Sequence, residues 1–250
     1  LSNIQAVISG LVQGLTEFLP VSSSGHLVLI HHLFGINEPL VFFDCLMHVA
    51  TLFAILIFFR QEVIAVFTRR KHWLFYIAIA SIPTVLVGLL YADKIESLFS
   101  SVKAASTALL VTGSWLILVE LLSKPSEKSL KSANALLIGL AQALAIIPGI
   151  SRSGATIGAG LLSGLKKEEV VSFSFLLSVP AILGATLLSA LKTPPAVAEI
   201  SFTASLLGML SAFLIGLVSL RALVFLIKGR KLYLFGIYCL VVGCLGLVNA

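Results

Sequence analysis

The chain has 250 residues, of which 58% are hydrophobic and 11% charged, with a mean hydropathy of +1.09. Soluble domains carry roughly 25% charged residues, so this chain lacks the polar surface to cover a core in water and reads as an integral membrane protein. The net charge of +6 reads as anchoring to the cytoplasmic face of a bilayer. No Lys/Arg stripe with interleaved aromatics supports nucleic-acid binding.

Residues 4–18 are apolar at helical spacing, but a spanning helix needs ~20 residues. Pro20 and three serines break the run, and Gly25 restarts it over 26–34. Neither piece spans alone, so together they predict a helix–loop–helix hairpin that enters the membrane and returns. Irregular backbone at that depth is tolerated only beside protein or a water-filled cavity. The first apolar segment has no basic flank and runs straight into polar residues, which does not fit a cleavable signal peptide. Residues 41–59 are long enough to cross, 60–72 form a basic loop, 73–91 cross back, 92–103 are a short polar loop and 104–122 cross again. After a loop at 123–132, residues 133–147 make a second short helix broken at Pro148 and Gly149, and 155–165 complete a second hairpin. Residues 170–191, 204–227 and 232–248 are three further spans. The expected fold is an all-α polytopic membrane protein: six transmembrane helices plus two re-entrant hairpins in a single domain, 1–250.

The distribution of basic residues orients this layout. With both hairpins re-entrant, loops 60–72, 123–132, 165–169 and 228–231 share one side and hold 12 of the 17 Lys and Arg. The other side has Lys94, Lys103 and Lys192. The basic side is therefore cytoplasmic, and the first hairpin enters from outside while the second enters from the cytoplasm.

The broken stretches are related. At an offset of 129, Gly10, Leu11, Gln13, Leu15, Ser22, Ser24 and Gly25 match Gly139, Leu140, Gln142, Leu144, Ser151, Ser153 and Gly154, seven identities in sixteen positions. Three spans separate the copies, which gives an inverted-topology repeat, about 1–122 and 133–250, with a site expected near the midplane where the repeats meet. The copies differ where charge sits: Glu17, Ser23 and His26 stand against Ile146, Arg152 and Ala155. The shared residues look like what builds the motif, and the unshared ones like what it is for.

Glu17 shares a helix face with Gln13, and a charge at the bilayer centre costs roughly 2.5–3.5 kcal/mol, so it should face a cavity. It reads either as a carboxylate satisfied by Arg152 and loop amides or, with Gln13, as an oxygen ligand for Mg²⁺ or Ca²⁺. His26 reads as a helix cap, or as a general acid/base or nucleophile at phosphorus. At least one of Ser22, Ser23 and Ser24 should cap the helix that comes next. Ser23, replaced by Arg in the second copy, is the choice for a nucleophile or phosphate ligand. Arg152 precedes a helix start, where hydroxyls of Ser151, Ser153 and Thr156, turn amides and a guanidinium make an anion cradle. Asp44 and His48 read as a helix pair or as support for the site, with the pair preferred. His31, His32 and His72 look interfacial, Glu120 and Arg221 structural, and Cys45, Cys239 and Cys244 small buried hydrophobes.

At Gln13 to His26 and Pro148 to Thr156 the chain resembles the bacterial undecaprenyl-diphosphate phosphatase family of the bacitracin-resistance type. The first signature resembles E/Q-G-L-T-E-F-L-P-V-S-S-S/T-G-H and the second P-G-x-S-R-S-G-A-T. The resemblance covers essentially the whole chain. It implies hydrolysis of a C55 polyprenyl diphosphate to the monophosphate, which recycles the lipid carrier for peptidoglycan synthesis and confers bacitracin resistance. It also implies a cell-membrane location, an outward-facing site and dependence on a divalent cation. By motif position it makes Gln13 and Glu17 the acidic-motif pair, Ser23 and His26 the loop residues and Arg152 the phosphate-binding arginine. Gln13 departs from the Glu of many members and removes one charge. The type-2 phosphatidic-acid phosphatases share S-G-H and S-R fragments but need a His after the S-R arginine, and every His here lies within 26–72. The rival reading is a transporter or flippase for a lipid phosphate or other anion, since broken helices and inverted repeats are transporter features. Small-residue faces such as 158–164 leave room for a homo-oligomer.

Overall fold

The computed structural model describes residues 1–36, 40–124, 127–192, 201–228 and 231–250, with the side chains of 192 and 224–228 left aside. Of the basic loop at 228–231, Arg230 lies outside the described residues. Twelve helices are described: α1 (Asn3–Thr16), α2 (Ser23–Leu33), α3 (Val41–Phe58), α4 (Arg60–Phe67), α5 (His72–Leu90), α6 (Ala92–Leu98), α7 (Val102–Leu122), α8 (Ser132–Leu144), α9 (Arg152–Leu162), α10 (Lys167–Lys192), α11 (Phe202–Lys228) and α12 (Leu232–Val248). Two loops expected to be irregular carry helices instead, α4 within 60–72 and α6 within 92–103. Both are too short and too charged to cross a bilayer, and each continues the turn of a neighbouring helix through one residue, Phe59 or Tyr91.

Five helices, α3, α5, α7, α10 and α11, are long and apolar enough to cross a membrane. α12 has 17 residues and falls just short by length. The chain is therefore an all-helical, multi-pass membrane protein. The burial pattern of the two short broken helices is the inverse of a soluble helix. On α1 the buried face holds Ser9, Gly10, Gln13, Gly14 and Thr16, while Leu11 and Leu15 face outward. On α8, Leu137, Leu140 and Leu144 are exposed, and Gly139 and Gln142 are buried. Lipid tails are as apolar as leucine, so these leucines gain nothing by turning inward. Close backbone approach and polar satisfaction decide the buried face instead.

The two short broken helices pack in matching ways. α1 lies against α11 and α8 against α5, while α3 meets α11 and α10 meets α5. A Cβ on Gly10 would collide with the Gly208 carbonyl, and one on Gly139 with the Ala80 carbonyl. Repeat-related glycines thus make the same backbone contact with different long helices. The breaks are also built alike. Ser22 Oγ accepts from Gly25 N at 3.3 Å and Ser151 Oγ from Gly154 N at 3.0 Å, capping α2 and α9. Ser22 lies 3.3 Å from Ser24 Oγ, as Ser151 does from Ser153 Oγ. The largest buried apolar cluster includes Phe18, Phe59, Phe173, Phe175 and Trp73. Phe175 packs on Phe18 and Phe59 with ring centroids 5.8 and 5.3 Å apart.

Candidate active site

The breaks that end α1 and begin α9 put a carboxylate and a guanidinium face to face. Glu17 is the C-cap of α1 and 6% exposed. Arg152, the first residue of α9, donates from Nη2 to Glu17 Oε1 at 2.6 Å. The loops touch directly as well. Ser153 Oγ donates to the Leu19 carbonyl at 3.2 Å, and a Cβ on Gly25 would lie 2.8 Å from Gly149 Cα. Gly149 itself has φ +98°, a region that favours glycine, and is packed on the Ala105 backbone. Thr112 of α7 fastens the second break by donating to the Gly149 carbonyl at 2.8 Å and accepting from Ser151 N at 3.1 Å.

Two donors and a nearby imidazole crowd the other carboxylate oxygen. Ser23 Oγ donates to Glu17 Oε2 at 2.6 Å and Gln13 Nε2 at 3.0 Å, while His48 Nε2 lies 3.4 Å from it. His48 Nδ1 is 2.7 Å from the Asp44 carbonyl, which only accepts, so Nδ1 carries the proton there and Nε2 is the edge turned to Glu17. The expected side-chain pair between Asp44 and His48 is thus corrected. His48 bonds Asp44 only through the main chain and belongs to Glu17. Arg152 keeps one nitrogen in reserve: Nη1 is buried without a hydrogen-bond partner. Its guanidinium also rests over Phe175 at 5.8 Å, a cation–π contact that holds its plane.

A cavity of about 410 Å³ opens onto this cluster. Glu17, Ser22, Ser23, Ser24, Ser151 and Arg152 line its polar end, with His48 beside them. Val85 and Leu89 of α5 and Ala185 and Leu188 of α10 line its apolar part. Val85 and Leu89 are more than half exposed, so the cavity reaches the lipid-facing surface.

Not every expected site residue reaches the cavity. Gln13 is fully buried behind Glu17, and its Oε1 has no partner. Ser153 is buried at the loop contact, and Thr156 bonds the Arg152 carbonyl at 2.8 Å and the Ser174 hydroxyl. His26 turns away: Nδ1 donates to the Ser22 carbonyl at 2.7 Å, and Nε2 meets Tyr238 OH at 2.9 Å with the two rings stacked. That bond braces Ser22, whose φ of +66° is rare for a residue with a side chain. His31, expected at the interface, is buried and bonded to Ser9 Oγ at 3.1 Å. Among the described residues no group of three His, Cys, Asp or Glu side chains gathers to hold a metal. Glu17 has both oxygens filled by donors and Gln13 is closed off from the cavity, so the pair does not form a metal cradle in this arrangement. For His48 the geometry favours support for the site over the preferred helix pair. Its one signal was a His four residues from an Asp inside an apolar span, where ionisable residues are functional by default.

The chain is similar along its length to known proteins. Undecaprenyl-diphosphatase of Desulforapulum autotrophicum is 42% identical, with 98% of this chain and 97% of the relative aligned. Undecaprenyl-diphosphatase of Halothermothrix orenii is 41% identical over the same shares, and that of Carboxydothermus hydrogenoformans 41% identical over 97% and 95%. The family model for bacitracin resistance protein BacA matches residues 6–245. With the signature residues of both breaks joined in one buried cluster, this chain belongs to the bacitracin resistance protein BacA family.

Proposed function

We propose that the protein is an undecaprenyl-diphosphatase that releases the terminal phosphate of undecaprenyl diphosphate and returns the lipid monophosphate to cell-wall synthesis. The observation that carries the mechanism is the arrangement on Glu17: Ser23 Oγ–H on one oxygen at 2.6 Å and Arg152 on the other, with Arg152 Nη1 still unpartnered. The lipid enters sideways, its isoprene chain between α5 and α10 and its diphosphate at the Ser23–Arg152 end. Ser23 Oγ attacks the terminal phosphorus as its proton passes to Glu17. The bond to the bridging oxygen breaks, and undecaprenyl monophosphate leaves. Water then attacks the phosphoserine, phosphate departs and the proton returns to Ser23. Arg152 neutralises charge on the phosphoryl oxygens through Nη1, and the capped starts of α2 and α9 add backbone donors. His26 acts by holding the Ser22 turn that presents Ser23, and His48 by fixing the Glu17 carboxylate. We place the divalent cation, Mg²⁺ or Ca²⁺, on the diphosphate itself, whose hard oxygens suit either ion.

The same reading takes the molecule as an inverted repeat, about 1–122 and 133–250, with six spans including α12 and two re-entrant hairpins. It is supported by the matching glycine contacts and serine caps of the two breaks. The basic loops then lie in the cytoplasm and the site opens outward.

The test is hydrolysis by the purified protein in detergent, with undecaprenyl diphosphate and Mg²⁺ or Ca²⁺, read as released phosphate. Activity is expected that EDTA removes and that Glu17→Ala, Ser23→Ala and Arg152→Ala each nearly abolish. A phosphorylated Ser23 trapped by acid quench is expected in the parent. Turnover intact in all three variants, or lipid transfer between leaflets without hydrolysis, sinks the reading and favours a transporter.

A further inference from the structure

We propose that a second, polar cavity beside the catalytic one is the aqueous route of the reaction, by which water enters and phosphate leaves while lipid fills the first. The inference rests on the hydrolytic reading above. Two observations locate the route. A cavity of about 380 Å³ lies where α2 ends, α3 begins and α6 passes into α7. Asp44 and Phe99 line both this cavity and the catalytic one, so they form the partition between them.

The linings differ in the way two kinds of cargo require. An isoprene chain is satisfied by the apolar walls of the first cavity, but a phosphate dianion there loses its hydration with little in return. The second cavity has His32, Ser100 and Lys103 exposed at its outer end. At its inner end Asp44 is 8% exposed, and its Oδ1 makes no hydrogen bond. The nearest cationic partner, His31 Nε2, stands off at 4.0 Å and is already bonded to Ser9. A buried polar group without a protein partner is a place where proteins hold water, which makes Asp44 the polar point of the partition. Lys103 stands exposed at the mouth, where its charge draws an anion outward.

Neither water entry nor phosphate exit is needed for the first P–O bond to break, because Ser23 is the attacking group. A block in the second cavity therefore leaves the first cleavage intact and stalls hydrolysis of the phosphoserine and release of phosphate. The experiment places a single thiol by Ser101→Cys in a chain whose Cys45, Cys239 and Cys244 are Ala. After folding, that thiol is capped with a bulky aromatic methanethiosulfonate, and the same sample is compared before and after capping. A burst of about one undecaprenyl monophosphate per protein is expected, followed by a steady state slowed about tenfold, since burst kinetics separate chemistry from later steps. Dithiothreitol should restore the rate, and the same cap on Ser97→Cys, which lines neither cavity, should change nothing. An unchanged steady state, or a first turnover slowed as much as later ones, overturns the route. No hydrolysis by the uncapped protein would instead indict the reaction itself.

Discussion

At the scale of single residues, the site is a crowd of donors around one carboxylate. Glu17 accepts from Arg152, Ser23 and Gln13, with His48 close by, and in the proposed mechanism it is also the base that takes the Ser23 proton. Breaking a buried pair by deleting one partner costs about 3–5 kcal/mol, because the other charge is left uncompensated. Glu17→Ala therefore tests folding as much as catalysis, and Glu17→Gln is the sharper variant. It keeps an oxygen for Arg152 and removes the base. We expect hydrolysis to fall about 10²- to 10⁴-fold, the usual span for a general base, with a melting temperature in detergent nearer the parent's than that of Glu17→Ala. Arg152→Lys separates anchor from clamp. A lysine ammonium can meet Glu17 or the phosphoryl group but lacks the planar fork that reaches both. A loss of about 10²- to 10³-fold in kcat is expected, the scale for one transition-state donor; an unchanged kcat would remove Arg152 from the phosphate. His48→Ala empties the space beside Glu17 Oε2, where Nε2 lies 3.4 Å away, so kcat should drop by about tenfold at little change in KM. His48→Gln puts a polar side chain back beside Oε2 and should recover most of that rate. If the glutamine variant is as slow as the alanine one, His48 does more than hold the carboxylate.

At the scale of elements, the question is what forces two broken helices to meet. Gly25 against Gly149 leaves no room for a side chain, and this contact joins the first break to the second. A Cβ at position 25 must push the loops apart, and overpacking of this kind costs typically 1–3 kcal/mol. Since the long helices do not depend on that contact, Gly25→Ala should remain folded by far-UV circular dichroism while losing most hydrolysis. Normal activity in that variant would mean that the breaks tolerate separation and that Arg152 reaches Glu17 by some other freedom. This contact also shows why some of the molecule could be read in advance and some could not. Glu17, Ser23 and Arg152 announced themselves because polar and charged side chains in an apolar run have no cheap alternative use. The two breaks were legible from Pro, Gly and Ser at helix boundaries. α4 and α6 were not, because short charged helices at membrane ends have the composition of loops. The partners of His48 and Tyr238 were not legible because they lie 31 and 212 residues away in sequence, and only the fold brings them there. His26 carried the right signal for a site residue, yet its direction of pointing is set by Tyr238, which no motif contains.

At the scale of the whole molecule, orientation is the feature on which function depends, since an enzyme that recycles a carrier must meet its substrate on the leaflet where it is released. The basic loops argue that α4, the connection before α8 and the start of α10 are cytoplasmic. The second cavity and the α6–α7 connection would then face outward, with Lys103 at the surface. Topology can be read by thiol accessibility in a chain otherwise free of cysteine. Lys103→Cys should react with a membrane-impermeant maleimide in intact cells, and Arg70→Cys, on an exposed stretch after α4, only once the membrane is opened. The repeat makes a stricter demand. If the hairpins enter from opposite leaflets, Leu33→Cys, exposed at the end of α2, should label from outside, and Ser163→Cys, at the end of α9, only from the cytoplasm. Labelling of both from the same side would leave the cluster at Glu17 intact but make the two breaks parallel. The matched glycine and serine contacts would then reflect a repeated local motif with no inversion behind it, and the outward opening of the site would have to be argued from the basic loops alone.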